Sequence, residues 1–134
     1  MTSSLRNRSL GILLGTVAAL STMAGIAKAD DIEVAYLSAS SANTWLAASL
    51  AEMKKIAEAN GIKLTEFDAQ FDPAKQTAQA QDMIASGKYK GVIYVALTGA
   101  GAIPDVKAAL DAGLVVVGLN QVIGPDLKTS DPQV

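Results

Sequence analysis

"FDPAKQTAQAQDMIASGKYKGVIYVAL" (Phe71–Leu97) holds a helix start, a helix stop and a buried strand in one run. Asp72-Pro73 is an N-cap followed by proline at the first helical position, where the missing N–H has no intrahelical partner to lose. The helical face runs on through Ala80 and Ile84 and stops at Gly87. "VIYVAL" (Val92–Leu97) is then almost continuously apolar, as expected of a parallel strand covered on both faces. A helix feeding such a strand is half of a right-handed βαβ crossover.

Apolar and amphipathic runs go on alternating on either side of it, with no sequence repeat. "IEVAYL" (Ile32–Leu37) and "IKLTEF" (Ile62–Phe67) read as strands that alternate more and so lie nearer the sheet edge. Between them Leu46, Leu50, Met53 and Ala57 form one helical stripe, closed by Gly61 as a C′ residue at positive φ. Downstream, a third helix begins near Pro104, carries Val106, Ala109 and Leu110 inward, and stops at Gly113. "LVVVGL" (Leu114–Leu119) is the fourth strand. The expected fold is α/β, a doubly wound parallel sheet. The closing "NQVIGPDLKTSDPQV" is polar and turn-rich and offers no helix to cover that strand. A sheet that stops there leaves an apolar edge unpaired, so the chain reads as truncated.

The first 29 residues read as a leader rather than as fold. Arg6 and Arg8 precede a short apolar core, Leu10–Ala19, and Ala27-Lys28-Ala29 supplies a small-x-small cleavage pattern. The core is too short to span a bilayer. Cleavage is expected after Ala29, leaving residues 30–134 as an exported, soluble unit. Without the leader, 8 basic side chains face 13 acidic ones, a net charge of −5. An acidic chain with no basic cluster is a poor partner for nucleic acid or anionic membrane. Cys and His are both absent from the sequence, which removes thiol nucleophiles, thiolate or imidazole metal sites and His-based triads.

In open parallel sheets, ligands sit outside the carboxyl ends of the strands. Three loops therefore matter: Ser38–Thr44, Thr98–Ile103 and Asn120–Gly124. They supply hydroxyls, amides and, at the start of the first helix, Trp45, the single tryptophan. Groups that both donate and accept suit a neutral polyhydroxylated ligand, and an indole face stacks on the C–H face of a sugar ring. Core packing between helix and sheet is the other reading of Trp45. Asn43 is read as an N-cap, a ligand contact, or both. "GAGAIP" (Gly99–Pro104) follows a strand, yet Pro104 replaces the third glycine of a dinucleotide fingerprint. Asn120 and Gln121 stand where its acidic residue belongs. An enzyme working with carboxylates would need Asp105 and Asp126, and neither has a visible partner to tune it.

The opening stretch also resembles the second helix and third strand of periplasmic sugar-binding proteins of the ribose- and galactose-binding type. Their D-x-x-K-Q-x-x-Q-x-x-D-x-I-x-x-G pattern is met by Asp72, Lys75, Gln76, Gln79, Asp82, Ile84 and Gly87. The resemblance covers the whole segment after the leader. It implies an incomplete N-terminal lobe, over residues 30–134, of a two-lobe periplasmic binding protein. It also implies no catalysis and no cofactor, with delivery of a sugar to the membrane permease of an ABC transporter by a monomeric periplasmic receptor. The family's N-P-aromatic-aromatic loop falls on Asn43, Thr44, Trp45 and Leu46, which places Trp45 at the stacking position. Where relatives often carry Asp-Arg after the fourth strand, this chain has Asn120-Gln121, two amides in place of a charged grip. The expected site is Ser38, Asn43 and Trp45 as one wall, with Asn120 and Gln121 as the polar floor. A periplasmic sensor that docks a membrane receptor or sensor kinase is the alternative to transport.

Overall fold

The structure is a computed structural model that describes residues 32–134. The leader read over residues 1–29, with its cleavage after Ala29, lies outside the described residues. Seven elements alternate: β1 (Ile32–Ser38), α1 (Thr44–Ala59), β2 (Ile62–Asp68), α2 (Pro73–Ala85), β3 (Gly91–Tyr94), α3 (Gly99–Asp111) and β4 (Val115–Gly118). The four strands form one parallel sheet in the order β2-β1-β3-β4. This is the doubly wound α/β architecture expected from the sequence.

The helices end where local chemistry says they should. The Asn43 side chain accepts from Leu46 N at 3.1 Å and caps α1. Asp72 Oδ1 accepts from Ala74 N and Lys75 N at 2.9 and 3.2 Å and caps α2. Each such cap contributes roughly 1 kcal/mol. Gly61, Gly87 and Gly113 follow the three helices at φ +68°, +62° and +81°, the left-handed region that ends a helix cheaply only for glycine.

One core lies on each face of the sheet. Under α2 and α3, Leu37, Met83, Val92, Tyr94 and Val106 are buried together. Under α1, Tyr36 and Val95 meet Leu46 and Leu50. The helix α1 covers only the β1–β2 half of its face. Beside it an apolar groove of about 420 Å³ runs over Val34, Ile93, Val115 and Val117, with Met53 and Ile56 as its near wall.

Three expectations need correction. The helix α3 begins at Gly99, not near Pro104, and Pro104 sits inside it. The proline withdraws one hydrogen bond from the Ala100 carbonyl, and Ala100 is exposed, so water can take its place. Leu110 points outward, 40 % exposed, because the buried stripe runs through Ala102, Val106 and Ala109. The two alternating strands do not share an edge position either. β2 is an edge strand, whereas β1 is central and fully buried from Ala35 to Leu37. Among the described residues β4 is the other edge strand, and Val115 is 68 % exposed.

Candidate functional site

Parallel strands place all their carboxyl ends on one rim, so the loops after β1, β2, β3 and β4 share it. The strand order supplies a crevice. The chain leaves β1 toward β2 on one side, and β3 lies on the other, so the loops diverge between β1 and β3.

The loop after β1 is tied to β2. Ser41 N donates to Asp68 Oδ1 at 3.2 Å, and Ser41 Oγ donates to Glu66 Oε1 at 3.1 Å. Burial acts to raise the Asp68 carboxyl, but bonds from Gln70 N and from Ser41, with the Lys75 charge, hold it below the usual carboxylate range. At the end of β1, where this loop begins, Ser38 is wholly buried, and its Oγ has no hydrogen-bond partner among the described residues. Asn43 and Trp45 stand at the surface. Trp45 is 54 % exposed, so it is not a core residue, and its indole lies on the first turn of α1 at the rim.

The loop after β4 starts from Leu119, whose N donates to Tyr94 O at 2.9 Å. Asn120 then takes φ +73°, a conformation asparagine tolerates better than most residues. Gln121 is half-buried, and Ile123 anchors the segment in the core. Gly99, at the start of α3, lies so close that a Cβ there would collide with the Val122 carbonyl oxygen. A cavity of about 320 Å³ opens beside this contact, lined by Thr98, Gly99, Ala100, Gln121 and Asp126. Asn120 and Gln121 also line a neighbouring cavity of about 500 Å³ with Val116 and Ile123.

The five expected site residues thus share one rim, but they fall into two groups. Asn120 and Gln121 are together, joined by Thr98 and Ala100. Ser38, Asn43 and Trp45 line neither of those cavities. β1 and β4 are two strand spacings apart, roughly 10 Å.

Two rim features were not legible in the sequence. Phe71 is 57 % exposed at φ +61°, next to Gln70 at φ +56°, and its N donates to Ala39 O at 2.8 Å. The Gln76 side chain reaches the end of β3 and is buried there. No local signal marks a left-handed phenylalanine or a glutamine aimed across a sheet.

The acids that an enzyme would need are otherwise engaged. Asp105 is buried and accepts from Tyr94 OH at 3.0 Å and Thr77 Oγ1 at 2.9 Å. Burial, then the Asp105 charge, pushes the Tyr94 phenol well above its usual range, so this tyrosine stays a donor. Asp126 Oδ1 accepts from Lys128 N and Thr129 N at 2.7 and 2.8 Å and folds a local turn. Both carboxylates hold structure.

A family model described as a periplasmic binding protein domain matches residues 34–131. Among solved structures, a galactofuranose binding protein is 28 % identical at a TM-score of 0.65, over 73 % of this chain and 32 % of its own. An ABC transporter solute binding protein from Burkholderia multivorans, with an unknown ligand represented as α-D-erythrofuranose, is 25 % identical. Its TM-score is 0.64, over 74 % of this chain and 36 % of its own. A periplasmic ribose ABC transporter protein from Conexibacter woesei, 17 % identical at a TM-score of 0.61 over 73 % and 32 % of the two chains, is a likeness of fold alone. The chain spans about a third of the length of these solved relatives. A search of curated protein sequences gave no match. The family and these neighbours are solute-binding proteins, not enzymes.

Proposed function

We propose a sugar-binding function on one premise, that the chain belongs to the periplasmic binding protein domain family. The ligand is a neutral monosaccharide or related polyol. The protein carrying these residues delivers it in the periplasm to the permease of an ABC-type importer. Residues 1–29 are its export leader, and residues 30–134 contribute part of one ligand-gripping lobe as a monomer. The galactofuranose binding protein and the Burkholderia multivorans protein with its furanose-shaped ligand, both at 25 % identity or more, favour a sugar in its five-membered ring form.

One observation carries the reading: the single indole is displayed at the sheet's carboxyl rim rather than packed in the core. Exposing an indole surrenders its burial energy, and a sugar's C–H face is the surface that restores it. Asn43 and Trp45 form one wall; Asn120 and Gln121 take hydroxyls from the other side. Ser38, beneath the first wall, holds an Oγ without a partner among the described residues. Closure around a ligand in a two-lobed protein needs a second lobe, so the isolated chain binds weakly.

Titration with a panel of pentoses and hexoses tests this, in this chain and in any longer polypeptide that carries it. Trp45 fluorescence is the reporter, and calorimetry gives the affinity. A saturable response to one sugar class is expected. Silence across the panel in the longer polypeptide overturns the reading.

A further inference from the structure

The ladder between β1 and β3 pairs Leu37 with Tyr94, and Val95 N donates to Leu37 O at 2.9 Å. Continued by one more step, that register would set residue 39 opposite Ala96. In a parallel ladder residue 39 would then donate to Val95 O and accept from Leu97 N. The chain does otherwise. Ser38 O still accepts from Ala69 N at 3.1 Å, as the β1–β2 ladder requires, but Ala39 O, which would face β3 if the strand went on, accepts from Phe71 N at 2.8 Å on the β2 side. The two groups left on β3 are taken by one side chain from another element. Gln76 Nε2 donates to Val95 O at 2.9 Å, and Gln76 Oε1 accepts from Leu97 N at 3.0 Å. Gln76 is 3 % exposed, and Val95 is 1 % exposed, so water does not compete.

We propose that Gln76 is a positioning residue of the binding site: its amide replaces the missing β1 residue opposite Ala96 and holds the crevice between β1 and β3 open. This rests on the sugar-binding reading given above. A primary amide presents a donor and an acceptor on one edge, the same pair a strand residue offers, without bringing a backbone and its side chains into the crevice. The clamp fixes Leu97; two residues on, Gly99 abuts Val122, and Thr98 and Gly99 share a cavity with Gln121. Gln76 therefore sets the β3–α3 turn and, through it, the segment that carries Asn120 and Gln121.

The test uses Gln76→Leu and Gln76→Glu, with sugar affinity measured well below the unfolding transition and hydrogen exchange followed at Leu97 N–H. Gln76→Leu loses both bonds and is expected to weaken binding by about 10-fold or more and to speed exchange at Leu97. In Gln76→Glu the introduced carboxyl, when protonated, can still donate to Val95 O and accept from Leu97 N, whereas the carboxylate cannot donate. Between about pH 5 and 8, Gln76→Glu should bind like the unsubstituted chain at the acid end and lose affinity as pH rises. The unsubstituted chain, which carries Asp68, Asp72 and Asp105 around α2, is the control for every other carboxyl. If Gln76→Leu does not fold, the pH series on Gln76→Glu decides. Affinity and Leu97 exchange that ignore both substitutions overturn the proposal. Altered exchange in a longer polypeptide that carries this chain and binds no sugar overturns the sugar-binding reading and the site role with it, leaving Gln76 as a clamp of the fold.

Discussion

Phe71 is the residue whose backbone and side chain disagree most with their chemistry. A bulky side chain at φ +61° is sterically strained, a cost of order 1 kcal/mol, and its ring is more than half exposed, so burial does not offset it fully. Phe71→Asn is expected to raise the melting temperature by about 4–8 °C per kcal/mol of strain relieved, read by calorimetry. A lower melting temperature would mean the ring packs better than its exposure indicates. Trp45 should behave in the opposite way. Trp45→Ala is expected to weaken sugar binding roughly 3- to 10-fold, the worth of one aromatic stack, while the melting temperature hardly moves. Exposed residues of this kind contribute little to stability. A large loss of stability with intact binding would reverse the assignment of the indole.

At the scale of elements, the β1 side of the rim is held by short side-chain ties. Asn43 caps α1, and Asn43→Ala should cost about 1 kcal/mol in a urea titration. Asp68 ties the loop after β1 to the end of β2 through Ser41 N and to its own turn through Gln70 N. Its carboxyl titrates below its ordinary value in the folded chain. Stability from this tie is therefore complete above the unfolded carboxyl pKa of about 3.9 and is lost as pH falls through the folded value. The acid limb of a melting-temperature profile should flatten in Asp68→Asn, with the difference from the unsubstituted chain vanishing at the lowest pH. An unchanged acid limb would remove Asp68 from the tie.

At the scale of the whole molecule, the sheet is covered unevenly. The helices α2 and α3 close one face, while α1 leaves the β3–β4 half of the other as an apolar groove. Contiguous exposed apolar surface of this kind attracts apolar partners. An environment-sensitive apolar dye should bind the isolated chain, and Val115→Ser with Val117→Ser should reduce that binding. Both valines are at least half exposed, so the melting temperature should change little. Dye binding that survives the double substitution would place the exposed apolar surface elsewhere.

The α/β class, the three helix stops and the caps at Asn43 and Asp72 were legible in the sequence because each depends on neighbours within one or two turns. Periodicity, a cap side chain and a glycine at positive φ are local facts. Pro104 misled for the same reason: read locally it starts a helix, yet α3 forms from Gly99 because Ala102 and Val106 have a sheet to pack on. Only the tertiary structure made β1 central and β2 an edge, since strand order depends on which crossovers fit, not on how a strand alternates. It also decided that Trp45 faces out and that Gln76 reaches groups 19 and 21 positions along the chain. Such contacts join residues that the chain keeps apart, and their energy exists only once the sheet has assembled.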